Sequence, residues 1–295
     1  MEELQEQHVE VYRARNAKSV REYALVLNAQ HIPFVEIAMG KDRVLAVPAP
    51  EFERAQFELS HYAEENRNWP PRPAKVITLA NGKQAAFWYG IVIVTFFLVD
   101  REGLFHLPWH TAGRADAEAI LSGEWWRTIT ALTLHADLLH LASNLAFGAF
   151  FIAFASHLLG TGVGLLAMLG SGILGTLLNA IIQDPSHLSI GASTSVFGAI
   201  GTYVACLWAQ RRRQKIGALY IWSPLLFGSF FLGQLGMSGV NTDVVAHGTG
   251  FASGLLIGAI LGRLGSEVLT SERLQSNCSI VAALLIAIGW IAALV

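Results

Sequence analysis

The sequence predicts an all-α polytopic membrane protein with a small α+β domain at its N-terminus, and three observations carry that prediction. Of 295 residues, 53% are hydrophobic and only 14% charged, and the mean hydropathy of +0.45 lies far from that of an ordinary soluble domain. Over half of the Lys, Arg, Asp and Glu residues fall within residues 1–83, whereas charge between 129 and 262 is confined to Asp137, Asp184, Arg211, Arg212, Arg213, Lys215 and Asp243. Beyond the polar module, apolar segments recur at close to the roughly 20 residues a helix needs to cross the hydrocarbon.

Residues 1–65 read as a soluble module. Residues 8–13 alternate as a strand, 17–29 look helical, 32–38 and 43–48 form a hairpin around Gly40-Lys41-Asp42, and 50–65 make an amphipathic helix. The order β-α-β-β-α suits a small α+β domain, for which regulation, oligomerisation or contact with a partner are the expected roles. Residues 66–83 follow as a linker, with three prolines between Asn66 and Lys75.

Seven apolar segments come next, at 85–99, 138–156, 161–183, 190–209, 217–236, 243–262 and 278–295. Trp88 and Tyr89 can anchor one end of the first, and Pro224 can kink the fifth, as membrane helices tolerate. The loop at 100–128 carries Leu104, Phe105, Leu107, Trp109, Trp125 and Trp126. It is too apolar to be simply solvated and is expected to lie in the membrane interface.

Basic residues set the orientation. Arg72, Lys75 and Lys83 precede the first segment, Arg211 to Lys215 separate the fourth from the fifth, and Arg263 and Arg273 follow the sixth. The positive-inside rule places all three sites in the cytoplasm, an even number of crossings apart, with the N-terminal module on the same side. Segments two, four and six then enter from the outer face. His140 and Asn144, Ser193, and His247 each lie one or two turns into their helix, which at about 1.5 Å per residue puts them in one layer roughly 4–10 Å deep.

Polar side chains at that depth are costly, so a shared layer of them reads as functional. A serine hydroxyl needs a base within hydrogen-bond reach, and an attacked carbonyl needs fixed donors for its oxyanion. Ser193 at a helix start offers a backbone N–H and the positive end of the helix dipole, and His140 and Asn144 project from one helix face. Gly191 allows the turn before Ser193. Gly250, Gly254 and Gly258, facing Gly198 with Thr202 and Gly201 with Ala205, let segments four and six approach closely.

GASTSVFGAIG from Gly191, AHGTGFASG from Ala246, HLASN from His140 to Asn144, and the pair Trp126-Arg127 together resemble the rhomboid intramembrane serine proteases, over residues 84–263 and in the right order. The resemblance implies a six-helix core at 84–263, leaving 264–295 as a connector and a seventh transmembrane helix outside that core. It implies a serine-type endopeptidase with Ser193 as nucleophile and His247 as base in a dyad, His140, Asn144 and the Ser193 N–H as oxyanion hole, and Gly191, Phe197, Gly250 and Gly254 in support. The implied reaction passes through a covalent acyl-enzyme, uses no cofactor or metal, and cleaves single-pass transmembrane proteins near the outer face of the bilayer, here a bacterial inner membrane. The fifth segment, with Phe227, Phe230 and Phe231, resembles the helix bordering substrate entry.

Two residues depart from the common pattern: Thr194 stands where glycine often follows the nucleophile, and Phe197 where tyrosine often packs on the histidine. Other readings remain beside the enzyme: a rhomboid-like protein that binds transmembrane segments without cleaving them, or a transporter using the same polar cavity. A metal site at His135, His140 and His247 lacks a placed carboxylate or cysteine. His135 is expected to donate a hydrogen bond that fixes its loop, Arg127 to tether the preceding loop or meet lipid phosphate, and Asp243 either to cap its helix or to orient His247. The net charge of -2 gives no basic stripe for nucleic acid. Cys206 and Cys278 indicate no disulfide framework, and the acidic first residues are unlike a cleavable signal peptide.

Overall fold

The structure is a computed structural model that describes residues 8–67, 78–79, 82–214, 217–236 and 243–295. The proline-bearing stretch of the linker, with Arg72 and Lys75, lies outside the described residues, as do Lys215, Asn241 and Thr242. The chain divides into two compact units, Met1–Pro73 and Ala74–Val295.

In the first unit, strand β1 (His8–Ala14), helix α1 (Ala17–Ala29), strands β2 (Val35–Met39) and β3 (Asp42–Pro48) and helix α2 (Phe52–Glu65) follow one another. β3 lies between the other two strands and is antiparallel to both. Asn16 starts α1 by accepting a hydrogen bond from the Lys18 N–H, and Gly40 turns the hairpin at φ +65°. Alternation sends Leu45 and Val47 of β3 to one face, where they bury against Val20, Leu27, Ala55 and Leu59 of the two helices.

Among the described residues, the second unit is built on seven long helices: α3 (Lys83–Arg101), α4 (Leu138–Leu159), α5 (Thr161–Ile182), α6 (Ser193–Arg212), α7 (Ala218–Gly236), α8 (Val244–Leu261) and α9 (Glu272–Leu294). Five of them, α3, α4, α5, α8 and α9, are long and apolar enough to cross a membrane, and the chain is a multi-pass membrane protein. Asp137, Asp243 and Ser271 cap α4, α8 and α9 with their own side chains. Tyr89, Ile93 and Phe97 of α3 pack with Phe151 and Ile152 of α4 and with Val196 and Ile200 of α6. Gly148 leaves room for the Tyr89 ring, whose hydroxyl donates to the Asn144 carbonyl at 2.9 Å.

Lipid tails offer helices no hydrophobic drive to associate, so backbone approach has to supply the contact. α6 and α8 meet on that basis. A Cβ added at Gly250, Gly254 or Gly258 would run into the carbonyl oxygens of Thr194, Gly198 and Thr202 respectively, and one at Gly201 into that of Phe251. Both helices thus advance in steps of four residues along one seam, and the seam fixes the register of His247, three residues before Gly250, against the start of α6.

The loop before α4 folds into short helical turns at Leu104–His106, Trp109–Gly113, Ala117–Leu121 and Arg127–Thr130. Arg127 ties them together, donating to the carbonyls of Thr111 and Arg114 at 3.0 and 2.9 Å and to Glu124. Of its two expected roles, the tether is the one the structure displays. Leu104, Phe105 and Trp125 stay exposed. Residues Ala115–Asp116 pair antiparallel with Leu188–Ser189, which joins this loop to the connection between α5 and α6.

The last helix packs along α5 and is fastened to its start. Gln275 of α9 accepts from the Gly162 and Val163 N–H groups at 2.7 and 3.1 Å and donates to the carbonyls of Leu159 and Leu269. It thereby caps α5, whose N-cap residue Gly160 has no side chain to do so. Near the other end, Trp290 is buried beside Gly113, with Nε1 donating to Thr133 Oγ1 at 3.2 Å.

Candidate active site

Helices α4, α6 and α8 each start at the same end of the unit, and their first turns surround a cavity of about 840 Å³ lined by His140, Asn144, Ser193, Phe197, Asp243 and His247. His140, Asn144, Ser193, Phe197 and His247, each singled out from sequence, therefore line one cavity. The Phe197 and His247 rings lie 4.4 Å apart between centroids, tilted by 31°, so the phenyl group sets one face of the imidazole. Asn144 is 5% exposed and its Nδ2 donates to the His140 carbonyl at 3.0 Å.

Ser193 is the first residue of α6, and Ala192 holds the cap position, where no side chain caps the helix among the described residues. Serine at a helix start is ordinarily the cap itself; here the hydroxyl is not spent that way. The first-turn N–H groups of α6 consequently point into the cavity end with the positive pole of the helix dipole behind them, an arrangement suited to an anion or a developing oxyanion.

Gly191 makes the turn before Ser193 at φ +124°, and a Cβ there would lie 2.7 Å from His140 Nε2. Two demands, a left-handed backbone and contact with an imidazole, both require glycine. The Ala136 N–H approaches His140 Nδ1 at 3.4 Å; with Nδ1 accepting, the neutral ring carries its proton on Nε2, the nitrogen that faces Gly191.

His135 packs beside His140. Its ring is 3% exposed and packs edge-on to His140 at 5.2 Å, and its nitrogens find no well-formed hydrogen-bond partner among the described residues. Burial, with the nearby His140 as a smaller cause, pushes its pKa down to about 4 against a backbone hydrogen bond with Thr133 that favours the charged form. The side chain is a neutral wedge behind His140, and the backbone at Thr133, in its own loop, is the polar group it meets.

Asp243 caps α8 at the Ala246 N–H, 3.0 Å away, and also accepts from Asn179 Nδ2 at 2.8 Å, Gln183 Nε2 at 3.3 Å and His187 Nε2 at 2.7 Å. Sequence reasoning missed His187, which lies in the α5–α6 connection and lines the same cavity. Burial alone would raise the Asp243 pKa; the Ala246 N–H, His187 and Asn179 outweigh it and hold the carboxyl below its ordinary value.

The Rhomboid domain matches residues 122–264, which encloses the cavity, and YdcA of Bacillus subtilis (strain 168) is 30% identical over 176 residues, covering 56% of this chain and 86% of YdcA. The chain belongs to the rhomboid family. The rhomboid protease GluP of the same organism is 28% identical over 221 residues, 71% of this chain, although the match spans only 42% of GluP. A relative of a different kind, inactive rhomboid protein 1 of Drosophila melanogaster, is 30% identical over 127 residues, 41% of this chain and 9% of its own length.

In this rhomboid the residue after Ser193 is accommodated by its surroundings. The Thr194 methyl faces Gly175 of α5 and Gly250 of α8, where added Cβ atoms would lie 2.8 and 3.1 Å from it. No left-handed backbone is present at Thr194, so glycine has no conformational advantage there.

Proposed function

We propose that this rhomboid is an intramembrane serine endopeptidase that cleaves single-pass transmembrane proteins close to the outer face of a bacterial inner membrane, with its N-terminus in the cytoplasm. The observation that carries the reading is the convergence of Ser193, His247, His140 and Asn144 on one cavity at the ends of three helices.

In the proposed reaction His247 takes the Ser193 proton as Oγ bonds to the scissile carbonyl carbon. The resulting oxyanion is met by the Ser193 N–H, His140 Nε2–H and the Asn144 amide. Collapse of the tetrahedral species breaks the C–N bond, and His247 returns the proton to the departing amine. Water, activated by His247, then adds to the acyl-serine ester and releases it. Phe197 holds the imidazole by its face, and the glycines at 191, 250 and 254 allow the close approaches that place the groups. No step calls for a metal or cofactor. Residues 1–65 are proposed as a separate cytoplasmic module for regulation or partner contact, 66–83 as its linker, 84–263 as the protease core, and 264–295 as the connector and seventh helix.

The test is cleavage of a model single-pass substrate in proteoliposomes, with products located by mass spectrometry. A cut near the outer membrane boundary that disappears in Ser193→Ala supports the proposal. An intact substrate that nevertheless binds the folded wild type favours the relative named inactive as the better guide, and a binding-only role.

A further inference from the structure

A second cavity, of about 650 Å³, lies between α3, α5 and α9 on the other side of the Ser193 turn. These three helices begin at the end of the molecule opposite Ser193 and run in the same direction, so position along them reads as depth. At their starts the lining is polar, with Gln84, Thr161, Ser276 and Ser279. Deeper it becomes apolar, with Ile93, Leu169 and Ile286, and it ends on Leu132, Ala192 and Ser195. One turn beyond Ile93 and Ile286, the rings of Phe96 and Trp290 stack 5.1 Å apart and bridge α3 to α9. Trp88 and Ile280 line the slot and are each more than half exposed, which leaves it open sideways between α3 and α9.

We infer that this slot binds one acyl chain of a phospholipid from the leaflet on the Gln84 side, its polar end at Gln84, Ser276 and Ser279 and its tail against Ala192 and Ser195. Length argues for a single leaflet's chain. From Gln275 to Ile286 the lining covers about 16 Å of helix rise, which is about half the roughly 30 Å of hydrocarbon. The polarity gradient matches an amphiphile in that orientation, and the aromatic bridge between α3 and α9 stands in the way of a segment that would need to continue through to the other face. A transmembrane helix, about 10–12 Å across with side chains, would need a slot open at both ends. The tail would touch Ala192, the residue before Ser193, so occupancy can bias the turn that carries the hydroxyl. That last consequence rests on the reading of Ser193 as nucleophile; the lipid site itself does not.

The test uses the full chain in nanodiscs doped with phosphatidylcholine bearing a terminal diazirine on one acyl chain, with adducts mapped by mass spectrometry after irradiation. Ala192, Leu132 and Ser195 are at most 5% exposed, so bulk lipid does not reach them. Adducts are expected there and on lipid-facing Phe150 and Leu256. Ala283→Trp, which fills the slot from an exposed position, should lower adducts at the buried sites at least fivefold and leave Phe150 and Leu256 unchanged; Ser279→Phe serves as a second filling variant. Buried sites that stay unlabelled in the wild type, or that label equally in both variants, overturn the inference. So does loss of the buried adducts on adding a single-pass peptide, which would assign the slot to a polypeptide. The labelling reads the slot whether or not the chain cleaves a substrate.

Discussion

His187 Nε2 donates to the Asp243 carboxylate at 2.7 Å, so the connection between α5 and α6 is fastened to the first turn of α8. With Asn179 and Gln183 also donating to Asp243, one carboxylate joins the two sides of the cavity that holds Ser193 and His247. Asp243→Ala is therefore expected to cost about 1–3 kcal/mol of stability, through a lost cap and three orphaned donors. Asp243→Asn should cost less and leave the pH profile of cleavage unchanged. A profile shifted by a full pH unit with no change in melting temperature would make Asp243 an orienting partner of His247 instead of a clamp.

Thr194→Gly should lower stability by about 1–2 kcal/mol, since it empties the space between Gly175 and Gly250 and loosens the unfolded backbone. Reactivity of Ser193 should survive. By contrast Gly254→Val drives side-chain atoms into the Gly198 carbonyl and should cost at least about 3 kcal/mol or prevent folding. Thermal unfolding in detergent separates the two.

Acid should loosen the fold through His135. In the folded chain this imidazole stays neutral down to about 4, whereas the unfolded chain takes up the proton at about 6.5. The unfolded state thus binds more protons between those values, and stability falls as pH drops through that window, by up to about 3 kcal/mol. His135→Phe keeps the ring volume and should flatten the slope; a variant as acid-sensitive as the wild type would remove His135 as the cause.

Gln275→Leu strands the Gly162 and Val163 N–H groups and two carbonyls together. A loss of about 2–4 kcal/mol is expected, at the upper end of what orphaned buried groups cost. Asn277→Leu, two residues away on an exposed position, is the control and should stay near neutral. Equal melting temperatures for the two variants would mean that α9 is not stapled to the α4–α5 turn.

Much of this was legible in the chain because it is local. The strand at 8–13, the helix at 17–29 and the hairpin around Gly40 follow from period and turn chemistry, and the observed elements lie within a few residues of those bounds. The polar layer was legible because charge is so sparse there that His140, Asn144, Ser193 and His247 stand out. His187, Gln275 and Trp290 were not. Each works through a partner 56 or more residues away, and neither periodicity nor hydropathy marks a side chain whose role is set by long-range hydrogen bonds. The burial of His135 was not legible either, because the ring that covers it, His140, is brought there by the turn into α4.

The most direct test of the central claim is labelling of the purified protein with a fluorophosphonate, which reports a base-activated serine without any knowledge of the substrate. The account predicts one adduct, on Ser193, in the wild type and none in Ser193→Ala or His247→Ala. A wild type that is folded but unlabelled, or a His247→Ala variant labelled as fast as the wild type, would contradict it.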